Sequence, residues 1–439
     1  CLGESEGLYR EATEDQKARK RAAVKKKRLM VWGTIAAIVL FIGGWITYVN
    51  VGSVRFLPAP SSNISAVAVG GDWPMVQRGP DHSASVTGGG VAPTGKLKWS
   101  FHTDEPIFTS PAVVGDRVYI STGDKRILAL DAESGDLIWE YEVNGPVNSS
   151  PAVAGDFVYV GLRDGSVLSL NKETGIKQWG FRIGGNVYSS PAVYQGVLYI
   201  GSRNGKLYAL DAMTGEERWN YLTGGRIISD PAVNEEVTAV VSQDWRLYLI
   251  DHRTGLHRLD YPLSPINGSP ALHDNLVFLA DEKGFVRAID WQKEELPFEK
   301  LVRRLRTHMF ALGLVGTIPS LKGFVWVSRE SGESFVGTPA VANDAVYAGS
   351  LSGTLFALNE STGDPLWQFT GEDEITTSPS VAGQSVFVGD KSGHLYAVDA
   401  LTGEMQWQFK ADGPISSTPV VANGTVYIAS LDGTLYAIE

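Results

Sequence analysis

Cysteine is almost missing from this sequence, with a single residue among 439, at position 1. That excludes a disulfide within the chain and any metal centre built on several thiolates. Cys1 reads as a lipid-modified residue, as one ligand of a zinc module, or most simply as an ordinary side chain. Positive charge is scarce outside the first fifty residues. Residues 1–50 hold nine Lys/Arg against five Asp/Glu, whereas the rest holds 29 against 44. So acidic a remainder repels phosphate backbones, and nucleic acid is excluded as a partner. Apolar residues make up 43% and Gly counts 49, which suits a packed core joined by many tight turns.

Long apolar runs are also rare. The one that stands out, Leu29 to Val49, has 21 residues without a charge, about the length that spans a bilayer core. Trp32, Trp45 and Tyr48 lie towards its ends, where amphipathic aromatics favour the interface. KARKRAAVKKKR precedes it, and only Arg55 is cationic in the twenty residues after it. This bias predicts residues 1–28 in the cytoplasm, a transmembrane helix over 29–49, and everything beyond on the extracytoplasmic side, periplasmic or cell-surface. The run is long for a signal-peptide core and lacks a clear cleavage site, so an uncleaved anchor is favoured. Residues 50–72 read as a flexible tether.

Self-similarity decides the fold. SPAV-like segments place Pro at 111, 151, 191, 231, 270, 339, 379 and 419. Each is followed by an alternating segment such as VYVGL, a Gly-bearing turn, LYALD, TGE and WxF. Short β-rich segments joined by tight turns every forty residues or so predict an all-β fold, an eight-bladed propeller of four-stranded antiparallel blades over 73–439. The first Trp strand, TGKLKWSF at 94–101, precedes the first SPAV, and the last copy, ending SLDGTLYAIE, lacks that strand. Pairing the two would close the ring and leave no open edge. Trp99, Trp139, Trp179, Trp219, Trp326, Trp367 and Trp407 recur at one position and are predicted to lock neighbouring blades.

The combination of SSPAV, LYALDAxTGExxW and an eight-fold count resembles the pyrroloquinoline-quinone (PQQ) type propeller repeat. WPMVQRGPDHSA at 73–84 looks like the lead-in of such proteins. Its best-known members are quinoprotein alcohol dehydrogenases and noncatalytic BamB-type assembly lipoproteins. The resemblance to the dehydrogenases implies a vicinal Cys pair, calcium and a catalytic Asp. The Cys pair is absent here, and Asp131, Asp211, Asp251, Asp290 and Asp399 share a turn position. The expectation is therefore of no cofactor, no metal and no catalytic residue, in a membrane-anchored interaction or assembly scaffold such as a subunit of a membrane complex. A PQQ-dependent oxidoreductase and a ligand-binding sensor are the alternatives.

Departures from the repeat gather in copies four to six. Asp230 replaces a Ser of SSPAV, Trp245 stands where other copies have a small turn residue, and Leu259 replaces the Trp. His252, His257 and His273 fall here without compact ligand spacing. The largest departure is an insertion over about 291–322. Leu301, Val302, Leu305, Met309 and Leu312 recur at helical spacing, with Lys300, Arg303, Arg304 and Arg306 largely off that stripe. This predicts either a helix covering blade five or a docking helix, using Leu301, Arg303, Arg304, Leu305, Arg306, Met309 and Phe310, that meets lipid headgroups or an acidic protein surface. Blades four to six and the insertion are the expected partner-facing sector.

Overall fold

The structure, a computed structural model, describes residues 57–439 except 67, 87–92, 296–298, 313, 315, 316, 318 and 319, together with residues 25, 26, 33, 34 and 37. The chain divides into Cys1–Phe56 and Leu57–Glu439. In the first unit the five described residues are helical, and the apolar run 29–49 otherwise lies outside the described residues. Among the described residues no helix is long and apolar enough to cross a membrane.

The second unit is an eight-bladed propeller of four-stranded antiparallel blades, seven of them built from consecutive strands, and the short strand Ser85–Val86 adds in parallel to the inner strand Ser380–Ala382 of blade seven. Blade one shows how the repeat makes a blade. Ala112–Val114, Arg117–Ser121, Arg126–Asp131 and Leu137–Glu142 follow one another outward from the axis. The two middle strands carry VYI and ILAL, whose side chains are buried on both faces because neighbouring blades cover them. The outer strand alternates, with Trp139 in and Glu140 out. Blade eight takes its outer strand from the other end of the unit. Leu97–His102 runs antiparallel to Thr434–Ile438, with Trp99 opposite Ala437 and Phe101 opposite Leu435. Lys96 and Glu439 extend the ladder by exchanging backbone bonds of 3.0 and 2.8 Å.

One device repeats at the joints between blades. Each outer-strand Trp donates its indole N–H to a turn carbonyl of the next blade: Trp139 to Lys172 at 2.8 Å, Trp179 to Ala212 at 3.0 Å, Trp326 to Glu360 at 2.8 Å. Tyr119 and Tyr159, two strands further in on the same blades, donate to those same Lys172 and Ala212 carbonyls. The indole lies flat on the Gly of the TG turn. A Cβ on Gly215, which sits at φ 75°, would be 2.6 Å from the Trp179 ring. Glycine is required there twice over, by the left-handed backbone and by the close approach. Blade four departs in residue but keeps the geometry, with Leu259 facing Gly323 and Trp291 filling the joint from the next blade.

The lead-in, Gly71 to Ala84, winds around the axis and ties itself to nearly every blade. Trp73 exchanges two bonds with Val113. Pro74, Pro80, Asp81, Ser83 and Ala84 accept from Val153, Val233, Leu272, Val341 and Val381. Gly71 accepts from Asn423, and Ala66, just upstream, donates to Val193. Gln77, Arg78, His82 and Ala84 adopt positive φ, the backbone expense of following so tight a spiral.

Candidate functional site

The propeller has two rims of different character. The hairpins after the inner strand and the TG turns share one rim, because each pair is bonded, as in Ala132 N–H to Asp116 C=O and Ala212 N–H to Gly196 C=O. The chain joins the ring on this entry rim. Pro58 accepts from Arg218, Ser61 bonds Asp211, and Ile64 accepts from Gly196. The opposite rim carries the remaining turns and the loops leading into SSPAV, and it surrounds an axial channel of about 240 Å³ floored by Val76 and Gln77 of the lead-in.

The SSPAV motif builds the channel wall. In seven of the eight blades the backbone N–H of the second Ser, or its equivalent, donates to the side-chain oxygen at the same position in the next blade. Ser110 donates to Ser150, Ser150 to Ser190, Ser190 to Asp230, Asp230 to Ser269, Ser269 to Thr338, Thr338 to Ser378 and Thr418 to Ser110, at 2.5 to 3.1 Å. Asp230 is the one carboxylate in this belt, and burial pushes its pKa up to about 6. Two residues before each belt position the repeats vary. Phe108, Asn148, Tyr188, Ile228, Asn267, Val336, Thr376 and Ser416 form a ring of unlike side chains along the channel. Comparing the repeats with one another could have singled out this position.

Around the channel mouth, cations meet aromatics. The guanidinium carbons of Arg163 and Arg203 each lie 5.3 Å from the Tyr188 ring centroid, within cation–π range. Asn186 ties the two arginines' loops together, donating from its side chain to the Arg163 carbonyl and accepting from Arg203 N–H. Nearby on this rim, Arg226 accepts from Gln243 in the turn that presents Trp245. Trp245 has φ 62° and is 55% exposed, where most blades place Gly. A bulky side chain in that conformation is strained, and here the strain holds an indole in solvent.

The insertion leaves blade five on the entry rim, between Asp290 and Gly323. Its helix spans Glu299–Ala311, with Glu299 paired to Lys322 at 2.8 Å and Arg303 3.7 Å from Glu295. Leu301, Val302, Leu305, Met309 and Phe310 are all exposed, as are Leu312 and Leu314 just beyond. Arg306 is exposed, Arg303 is half-buried, and Arg304 belongs to the helix. The apolar stripe therefore does not cover blade five.

The three histidines of the irregular sector part company. His252 is buried, its Nδ1 3.3 Å from the Tyr199 hydroxyl, and burial lowers its pKa. The fold brings His257 together with Asp260 and Glu295, and His273 together with Asp274 and Glu360, with candidate ligand atoms within 4.8 Å of one another in each set. Either set has the donor chemistry of a divalent cation site. Both also hold ion pairs, Arg246 to Asp260 and His273 to Glu360 at 2.7 Å. Each set is completed by a glutamate from a distant segment, Glu295 or Glu360, so linear spacing could not disclose them.

PQQ, which the repeat family brings to mind, carries three carboxylates. The channel lining contains no Lys or Arg among the described residues, its one carboxylate is Asp230, and its donors are neutral hydroxyls, amides and backbone N–H groups that cannot balance three negative charges. These donors do not fit the cofactor.

The comparisons with known proteins bear on the whole ring. Among curated proteins none matches the chain. Among solved structures, BamB from Moraxella catarrhalis superposes with a TM-score of 0.63 at 19% identity, covering 78% of this chain and 97% of that one. The quinohemoprotein alcohol dehydrogenase from Comamonas testosteroni gives 0.68 at 15%, covering 85% and 81%. A computationally designed protein, Ika8, gives 0.64 at 16%, covering 79% and 99%. At such identities the likeness is one of fold. The family model described as outer membrane protein assembly factor BamB is matched in sequence over residues 86–292, 179–368 and 352–439. With the repeats, the eight blades and this match in agreement, the chain belongs to the BamB family of PQQ-type propeller proteins.

Proposed function

We propose that this protein is a noncatalytic interaction platform: a propeller held at a membrane by the apolar segment 29–49, displayed on the extracytoplasmic side, and binding a protein partner through the mouth rim. The anchor reading rests on sequence, on the uncharged run and the basic residues before it. The observation that carries the binding role is Trp245. Its strained, half-exposed indole lies on the same rim as the Arg163–Tyr188–Arg203 group, and Trp, Tyr and Arg are the residue types that dominate interface energetics.

Trp245→Gly separates binding from folding. It should stabilise the isolated protein by about 1 kcal/mol, because Gly accepts the left-handed backbone freely. It should also cut the yield of whatever protein crosslinks to this rim in native membranes. A variant that is more stable yet retains its crosslinked partner in full would sink the proposal. The quinoprotein-like reading has one favouring observation, a buried carboxylate on the channel wall whose pKa burial pushes up to about 6. Titration of the purified chain with PQQ and calcium decides it, a bound chromophore with dye reduction being the result that would reinstate it.

A further inference from the structure

We infer that the insertion helix is a second membrane contact, lying on an anionic phospholipid surface and fixing the orientation of the ring; this rests on the proposed anchor. Three observations converge. The apolar residues of Glu299–Ala311 point into solvent, Leu301, Leu305 and Met309 being 54, 56 and 40% exposed, and Leu312 and Leu314 continue the patch. Within the fold the helix is held by polar ties to its own stem, such as Glu299 to Lys322 and Arg303 towards Glu295. So large an apolar surface on a short helix needs an occupant.

Charge selects the occupant. Residues 299–312 carry four Lys/Arg and one Asp/Glu, whereas the chain after residue 50 as a whole is strongly acidic. A basic helix with an exposed apolar stripe suits the headgroup boundary of an anionic bilayer, where aliphatic side chains sink into the acyl region and cations meet phosphate. Position agrees. The insertion replaces the TG turn of blade five, and the chain reaches the ring at the TG turn of blade three, so both occupy the entry rim. Val49 and Leu57 are only eight residues apart, at most about 28 Å of extended chain. The rim that carries the helix is thus the rim on which the chain enters the ring.

The test uses the full chain with Cys1→Ser, bearing an environment-sensitive fluorophore at Met309→Cys or, as control, at Lys283→Cys on the opposite rim of the same blade. Each is reconstituted in nanodiscs of phosphatidylcholine with or without phosphatidylglycerol, containing spin-labelled quencher lipid. Retention of the chain with the discs reports the anchor, and quenching at position 309 reports the helix. With phosphatidylglycerol, position 309 should be quenched at least two-fold more than position 283, and Leu305→Asp with Arg306→Glu should abolish the difference. A retained chain whose position 309 stays unquenched overturns the lipid contact and leaves the anchor standing. The lipid contact is equally overturned if a photo-crosslinker at Leu305 captures a second copy or another protein while quenching is absent. A chain that is not retained removes the anchor. Vesicles of phosphatidylglycerol added to it then decide the helix alone, quenching at 309 supporting the contact and its absence overturning it.

Discussion

Single residues define what each part of the ring is for, and Asp230 shows it by titration. Its folded pKa, about 6, stands above its ordinary value of 3.8, so the folded protein keeps a proton that the unfolded chain releases. Stability contributed at this group is therefore lost as pH rises from about 4 to about 6. His82 works in the opposite sense. Fully buried in the lead-in, it is lowered to about 4, and the stability tied to it is lost as pH falls from 6.5 towards 4. The two act in opposite senses over the same pH range, so a variant is needed to see either. Asp230→Asn preserves the acceptor for Ser190 and should be more stable than wild type by roughly 1–3 kcal/mol above pH 6. The gap should close by pH 4 in denaturant titrations; a pH-independent difference would contradict the account. Trp219→Ala should cost about 3–5 kcal/mol, since the indole is fully buried and its N–H reaches the His252 carbonyl at 3.2 Å.

At the scale of elements, the strands were legible in the sequence and the lead-in was not. VYIGS and LYALD alternate and recur, so pattern alone gives strand, turn and blade count. The lead-in occurs once and has no period, and its bonds go to residues up to about 350 positions away. Nothing local in WPMVQRGPDHSA encodes that path. The exposure of the insertion was hidden for a related reason: periodicity shows that a helix has an apolar face but not whether anything covers it. The outer strand Leu97–His102 makes a further prediction. Removing 94–101 should expose the same edge of Thr434–Ile438 that its pairing now covers, and should weaken blade eight about as much as removing 431–439. Hydrogen exchange at Val426 and Ile428 would read both; full protection in either deletion would refute the equivalence.

For the molecule as a whole, the separation of two rims matters more than any one contact. The entry rim gathers the incoming chain and the insertion, while the mouth rim gathers Trp245, Tyr188 and the channel. Deleting 294–318 should leave the ring folded, with a thermal midpoint within about 4 °C of wild type, because the described large apolar side chains from Leu301 to Leu314 are exposed. Collapse of the midpoint would show instead that the insertion holds blade five. The candidate site was readable only in part at this scale. Trp245 and Asp230 stood out as breaks in a repeat, whereas Arg163, Tyr188 and Arg203 were met only when two loops came together across a blade boundary.

The closing of blade eight also sets a timetable. The strand that completes the ring, Leu97–His102, leaves the ribosome ahead of every blade, and its partner, Thr434–Ile438, follows all the other strands. More than three hundred residues separate them, which at typical elongation speeds of about 5–20 residues per second is roughly 20 to 70 seconds of waiting. Throughout that interval the nascent chain holds an unpaired strand and a lead-in whose last partner, the N–H of Asn423, has not yet been made. An arrested or shortened product would carry an unpaired edge ready to recruit another strand. Such a chain would benefit from whatever shelters nascent proteins, and truncated products should be cleared or aggregate rather than persist as smaller rings.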